Sequence, residues 1–352
     1  MTTIHVAASR AYDVAIEQGL LSQLGPMAAE LLSGRRAAVI SDDAVFPLYG
    51  ALAERSLQDA GFQVEHFVFP HGEQQKNLNT YGQALNFLCD RRFTRSDLIV
   101  ALGGGVVGDL AGFTAATYQR GVAYIQVPTT LLSMVDSSVG GKTAVDLDSG
   151  KNQAGCFYQP SLVLCDPALL ASLPEAEYRA GCAEVIKTAV LFSPELFQKL
   201  TEAPVREQFE SVIAACVGMK RDVVENDEFD RGQRAMLNLG HTIGHAVEAC
   251  SNFTILHGEG VAIGMAAITR AAVEKGICDP ALLSQVLDIL QKYGLPTEVP
   301  YPLADIQKAA EADKKRSGSV TNFVVPEALG QCRVEPVPAG EVAGWLKAGG
   351  IR

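Results

Sequence analysis

The stretch DLIVALGGGVVGDLAGFTA, residues 97–115, decides the fold. Its apolar run LIVAL reads as a buried strand, its glycines as a turn, and VVGDLAGF as the start of a helix. Gly103, Gly105 and Gly108 satisfy the pattern G-x-G-x-x-G. In such a turn the missing side chains let backbone N–H groups approach a pyrophosphate at a helix N-terminus. By itself the match is a weak signal, because the fingerprint also wants an acidic residue about 20 positions on for the ribose. YQRGVAYIQV, 118–127, has none. A tight strand-to-helix turn without a ligand accounts for the glycines equally well. If a dinucleotide binds, its ribose is held from elsewhere. Asp42 in VISDDAV and Glu73 in HGEQQK are the candidates.

Working outward, RAAVIS (36–41), FQVEHFVF (62–69), AYIQVP (123–128) and SLVLCD (161–166) read as further strands, with helical patterns such as LNTYGQALNFLCDRR between them. This alternation predicts a mostly parallel sheet covered by helices. From 174 to 293 nearly everything reads as helix. VTNFVVP and QCRVEPV are expected to form a late hairpin or edge strands. The boundary between the two halves is expected at LLASLPEAEY, near 170–178.

Composition narrows the function. Of 352 residues 48% are hydrophobic and 20% charged, which suits a globular protein with a large core. A net charge of −11 argues against nucleic acid or an anionic membrane as partner, so an anionic ligand needs a local basic pocket. Eight cysteines without a C-x-x-C pair suggest reduced thiols and a cytoplasmic protein. No secretory leader is expected from MTTIHVAASRAYDVAIEQG, and no apolar run is long enough to span a membrane.

Three of the six histidines fall within NLGHTIGHAVEACSNFTILHGEG, residues 238–260. On a single helix over 233–250, Arg234, Asn238, His241 and His245 would stand at i, i+4, i+7 and i+11, all on one face. That stripe is either partly solvated, with its histidines satisfied by neighbours, or the wall of a site. Two histidines four apart can chelate a metal, although the glutamate of H-E-x-x-H is missing here. His257 follows at HGEG. Glu184 and Lys187, in GCAEVIKTAVL, share a face of an otherwise apolar helix, where two charges are paired or functional. Glu184 with two histidines would make a hydrolase-like metal set. A buried ion pair between Glu184 and Lys187 is the other reading. The loop TTLLSMVDSSVGGKTAVDLDSGKNQAGCFYQP carries Lys142, Lys151 and Asn152 in an acidic protein. With Arg120, Lys220 and Arg234 these suggest capture of one carboxylate and one phosphate.

The motifs GGGVVGDLAGF, IQVPTTLLSMVDSSVGGKTAVD, GKNQAGCFYQP, GCAEVIKTAV, LNLGHTIGHAVE, LHGEGVAIGM and DKK occur in this order. As a set the chain closely resembles the 3-dehydroquinate synthase family, one branch of the sugar phosphate cyclases. The resemblance covers nearly the whole chain and is weakest before about residue 65 and after about 320. It implies a Rossmann-like NAD-binding α/β domain over 1–174 and a mainly helical, metal- and substrate-binding domain over 175–352. It also implies one zinc or cobalt ion per subunit and a homodimer. The family's metal ligands fall on Glu184, His241 and His257, so His241 and His245 are not a chelating pair, and His245 faces the substrate. The family's substrate residues fall on Asp136, Lys142, Asn152, Lys187, Lys220, Arg234 and Asn238, with Arg120 reaching the partner subunit's site. Lys314 of DKK, or else Lys315, supplies the last lysine. The NAD contacts fall on Asp42, Glu73, Lys76, Gly104, Gly105, Val106, Val107, Gly108, Asp109, Thr129, Thr130, Lys142 and Lys151, and on Leu169, Leu170, Ala171 and Ser172.

The activity so implied converts 3-deoxy-D-arabino-heptulosonate 7-phosphate to 3-dehydroquinate and phosphate, a step of the shikimate pathway. Transient oxidation acidifies a C–H bond, phosphate is eliminated, the hydride returns, and an intramolecular aldol step closes the ring. Two rivals share the architecture: a cyclase for another phosphosugar, and a metal-dependent alcohol or glycerol-phosphate dehydrogenase that consumes NAD. A non-catalytic scaffold is the third alternative, against which the complete set of ligands and lysines argues.

Overall fold

The computed structural model describes residues 1–148, 150–314 and 320–352, the side chains of 311–314 excepted. The deciding stretch forms a strand, Leu98–Gly103, buried at every position, followed by a helix, Gly105–Thr117. In chain order the elements up to residue 173 are β1 (Thr2–Val6), β2 (Tyr12–Ile16), α1 (Leu24–Leu31), β3 (Arg36–Asp42), α2 (Phe46–Asp59), β4 (Gln63–Phe69), α3 (Leu78–Asp90), β5 (Leu98–Gly103), α4 (Gly105–Thr117), β6 (Ala123–Pro128), β7 (Lys142–Leu147), β8 (Gly150–Phe157) and β9 (Leu162–Cys165). After them come α5 (Glu175–Phe192), α6 (Pro194–Glu202), α7 (Phe209–Asn226), α8 (His241–Cys250), α9 (His257–Glu274), α10 (Pro280–Lys292), α11 (Leu303–Lys314), β10 (Val320–Ala328), β11 (Gln331–Pro338) and α12 (Val342–Ala348).

The chain folds as two units. The first comprises Met1–Leu173 with Lys220–Phe229, the second Pro174–Met219 with Asp230–Arg352. Among the described residues the first unit's main sheet has seven strands, in the order β1-β2-β9-β6-β5-β3-β4. All neighbours pair in parallel except β1 with β2. Strands covered on both faces read as continuous apolar runs, and β5 and β9 are buried throughout. Ile40, Ile99, Leu110, Ala111, Ala115 and Tyr124 form part of the core between this sheet and α4. The strands read from the sequence are present with bounds shifted by a residue or so. Two features were not read. β1 and β2 form an antiparallel edge from the N-terminal segment. The lysine-bearing loop folds its second half into the antiparallel hairpin β7–β8.

The second unit is mainly helical, with the antiparallel pair β10–β11 as the expected late hairpin. Local chemistry sets its helix starts. Ser193 and Asp279 accept hydrogen bonds from the backbone N–H groups of Leu196 and Ala281, each with a proline at the first helical position. The single helix expected over 233–250 does not form. A 3-10 turn covers Gln233–Asn238, Gly240 takes the left-handed conformation at φ 78°, and α8 starts only at His241. Arg234 and Asn238 therefore do not share a helix face with His241 and His245.

Candidate functional site: a glutamate–histidine cluster and a glycine-turn end of the sheet

In the first unit the candidate nucleotide residues gather at the carboxyl ends of the parallel strands, where open α/β sheets bind ligands. Asp42 ends β3, Gly103 ends β5, Thr129 follows β6, and a 3-10 turn, Pro167–Ser172, follows β9. Asp166 opens that turn by accepting from the Ala168 N–H. Tyr49 donates its hydroxyl to the Leu169 carbonyl at 2.8 Å and lies 2.6 Å from the Ser172 hydroxyl. Asp42 accepts from the Ala44 and Val45 N–H groups through Oδ1, and burial raises its pKa. Glycine is needed at the turn for space. A Cβ on Gly103 would lie 2.5 Å from the Val107 side chain, and one on Gly104 3.0 Å from that of Thr130. Gly104, which has no side chain to cap it, is the N-cap of α4, and Gly105, Val106, Val107 and Gly108 form the first turn. Thr130 and Ser133 bond each other, and the Thr129 N–H donates to Gly103 O at 3.0 Å.

Beside these ends lies a buried lysine cluster. Lys76 Nζ stands 3.0 Å from Glu73, 3.3 Å from Asp109 and 4.0 Å from Asp146, and Lys151 reaches Glu73 at 3.5 Å. Burial alone would lower the Lys76 pKa, but Asp109, Glu73 and Asp146 outweigh it and hold the ammonium protonated. Burial pushes Asp109 up to about 6 despite Lys76. Burial also works against the Glu73 carboxylate, yet Lys76 and Lys151 together lower its pKa. Asp146 binds the Asn152 N–H at 2.6 Å, holding Asn152 at φ 55°, and Lys142 is exposed at the start of β7. Asp136 is ion-paired to Lys220, which also donates to the Asp136 carbonyl. Arg120 is exposed at φ 65°.

In the second unit three ligand-type side chains converge. Glu184 on α5 is 1% exposed, His241 opens α8 and His257 opens α9. Glu184 Oε1 lies 3.6 Å from His241 Nε2 and 3.3 Å from His257 Nε2. Donors placed tetrahedrally about zinc at its usual bond lengths stand about 3.3–3.6 Å apart, so the spacing fits a divalent ion. The second nitrogens are committed elsewhere. His241 Nδ1 is 3.1 Å from the Leu239 carbonyl, and His257 Nδ1 is 2.8 Å from Glu248 Oε1. Both Nε2 atoms are thereby left to face Glu184. Burial, then Lys187, pushes His241 down to about 3, so its imidazole is neutral at neutral pH. Burial would lower His257 too, but Glu184 and Glu248 raise it to about 10. Lys187 pairs with Glu184 through Oε2, so the two readings of that glutamate hold together: it is ion-paired and it faces the histidines.

His245 is exposed one turn along α8, its ring centroid 5.3 Å from that of His241 and 5.7 Å from that of His257. Arg234 is buried and Asn238 exposed. Lys314 ends α11 with its side chain outside the described residues, and Lys315 lies wholly outside them. Glu248 was missed in the sequence. The available signal was its place seven residues after His241, which puts it on the helix face of His241 and His245.

A Rossmann-like sheet with its glycine turn, together with a helical unit holding a Glu–His–His donor set, defines a class of metal- and dinucleotide-type α/β enzymes. Two family descriptions match within it: 3-dehydroquinate synthase N-terminal over residues 66–180, and 3-dehydroquinate synthase C-terminal over 181–316. A 3-dehydroquinate synthase of Enterococcus faecalis is 42% identical over 350 residues, 97% of this chain and 98% of that relative. The chain belongs to the 3-dehydroquinate synthase family. Among solved structures, 2-deoxy-scyllo-inosose synthase complexed with carbaglucose-6-phosphate, NAD+ and Co2+ superposes with a TM-score of 0.88 at 26% identity, covering 98% of this chain and 99% of that one. The 2-epi-5-epi-valiolone synthase of Streptomyces hygroscopicus, with NAD+ and Zn2+ bound, gives 0.88 at 28% identity and 99% of both chains.

Proposed function

We infer that the chain catalyses the family reaction, conversion of 3-deoxy-D-arabino-heptulosonate 7-phosphate to 3-dehydroquinate and inorganic phosphate. The observation that carries the reading is the convergence of Glu184, His241 and His257 at metal-ligand spacing. When bound, NAD would accept and return a hydride, and zinc or cobalt would draw charge from the substrate hydroxyls.

The residues of the chain do the rest. Glu184, His241 and His257 would hold the metal. Asp42, Glu73, Lys76, Asp109, the 104–108 turn, Thr129, Thr130, Lys151 and the 169–172 turn would hold NAD, with Lys142 serving both ligands. Lys142, Lys187, Lys220 and Arg234 would neutralise the substrate's carboxylate and phosphate and stabilise negative charge as it develops. Asp136, Asn152 and Asn238 orient its hydroxyls. His245, exposed one turn from His241, holds or moves a proton at its ring. Lys314 is the remaining phosphate-side lysine. We further propose a homodimer in which Arg120 serves the partner subunit's site, a division into domains at 174/175, and a cytoplasmic location. The location is supported by eight free thiols. No helix among the described residues is long and apolar enough to cross a membrane.

Incubation with the heptulosonate phosphate, NAD and Co2+ should yield dehydroquinate and phosphate in equal amounts. A chelator should abolish turnover, and added zinc or cobalt should restore it. Full activity of demonstrably metal-free protein, or failure to form dehydroquinate, overturns the reading.

A further inference from the structure

We propose that Glu248 is a positioning residue for the metal centre: its carboxylate fixes the tautomer and aim of His257, and so sets how strongly the chain holds a divalent cation. The inference rests on the metal reading above and assigns a role to a residue outside the three ligands.

The argument begins with burial. Glu248 is 2% exposed, and a carboxylate out of water is costly unless it is hydrogen-bonded. Its Oε1 lies 2.8 Å from His257 Nδ1, while His257 Nε2 points to Glu184 Oε1 at 3.3 Å. Carboxylates accept only, and one faces each ring nitrogen, so His257 presents Nδ1–H to Glu248, and a metal ion held at Glu184 would take the place of the proton on Nε2. The other histidine is fixed differently, since the Leu239 carbonyl, a neutral acceptor, faces His241 Nδ1. Of the two imidazoles, His257 is therefore the one whose donor strength is raised by a full negative charge.

The backbone is built for this contact. α8 and α9 approach through paired glycines. A Cβ on Gly264 would fall 1.9 Å from Gly240 O, and one on Gly244 2.7 Å from Gly260 O. A Cβ on Gly260 would also press the Glu248 side chain, 3.3 Å from its Cγ and 3.4 Å from its Oε1. The glycine at 260 leaves the room in which Glu248 lies beside His257. α8 thus carries one ligand, His241, and the orienting group of the other.

The test uses Co2+ alone on apo protein, with affinity read by competition against a chromophoric chelator and geometry by the visible cobalt absorption. Glu248→Gln, nearly isosteric, should weaken Co2+ binding by about 10- to 100-fold and shift the cobalt spectrum, with near-ultraviolet circular dichroism of the apo protein unchanged. In a double-mutant cycle with His257→Ala, the effect of Glu248→Gln should vanish, because its route to the metal is gone. Unchanged affinity and spectrum in Glu248→Gln, or a loss that persists undiminished on the His257→Ala background, overturns the proposal. Absence of Co2+ binding by the wild-type chain would instead defeat the underlying metal reading.

Discussion

Lys142 and Asp109 show how differently two charged residues of one unit can be tied to the molecule. Lys142 is exposed at the first position of β7, so replacing it removes little packing. Lys142→Ala should leave the thermal midpoint within a degree or two while lowering kcat/KM roughly 10- to 100-fold, the scale of one charge-assisted contact to an anion. Near-normal kinetics in the folded variant would remove Lys142 from the substrate set. Asp109 acts on stability. Burial raises its pKa from 3.8 to about 6, so the folded state binds a proton more tightly than the unfolded chain. Its contribution is fully present below about pH 4 and is lost as pH rises through about 6, a change of roughly 3 kcal/mol at most. Asp109→Asn should therefore flatten the stability profile between pH 4 and 6 relative to wild type, as read by denaturant midpoints at each pH. Parallel profiles for the two proteins would contradict the assignment.

At the scale of elements the helices that carry the proposed ligands are fixed by glycine. A Cβ at Gly258 would lie 2.0 Å from Ala180 O, and one at Gly264 1.9 Å from Gly240 O, so neither can be accommodated without a helix moving. Gly264→Ala should cost at least the roughly 1–3 kcal/mol of ordinary overpacking and weaken Co2+ binding, because α8 and α9 each bear one of the proposed histidine ligands. Gly218 on α7 is the control, since a Cβ there would meet nothing within 4 Å. Gly218→Ala should be stabilising by about 0.5–1 kcal/mol through helix propensity. Equal thermal midpoints for the two variants would show that the helix crossing is looser than described. The same elements explain what was legible in the sequence. The central strands could be read because burial on both faces makes them continuous apolar runs. β1 could not, because on this short edge strand only Ile4 and Val6 face inward, too few to set an alternating pattern apart from Thr2, Thr3 and His5. β7–β8 read as a loop because its glycines and lysines serve a surface, not a core. Glu184 stood out as a charge in an apolar helix, and the resemblance then joined it to His241 and His257. The break at Gly240 stayed hidden because the periodicity on either side continues through it, and a lone glycine does not by itself announce a left-handed residue. Glu248 stayed hidden because its place on the helix face of His241 and His245 does not by itself tell a buried glutamate from a solvated one.

At the scale of the whole molecule the question is whether the chain uses NAD or consumes it. A glycine turn at the end of a parallel sheet and a Glu–His–His set would serve a plain dehydrogenase as well. The difference lies in charge. The chain carries −11 overall, yet Lys142, Lys187, Lys220 and Arg234 stand among its candidate site residues, a set suited to an anion with a phosphate leaving group. Oxidation in such a site serves to acidify the C–H bond next to the new ketone, so that phosphate can leave. The hydride must return before product leaves, because dehydroquinate plus phosphoric acid equals the substrate atom for atom and the net reaction is redox-neutral. With substrate in excess and NAD in trace amount, many phosphates should then be released per NAD, and absorbance at the wavelength of NADH should stay flat through the steady state. His245→Ala should lower the rate of phosphate release without turning the reaction into net NADH production, since the proton-moving role proposed for it does not determine where the hydride ends. NADH rising in step with substrate loss would place the chain with the dehydrogenases of this architecture.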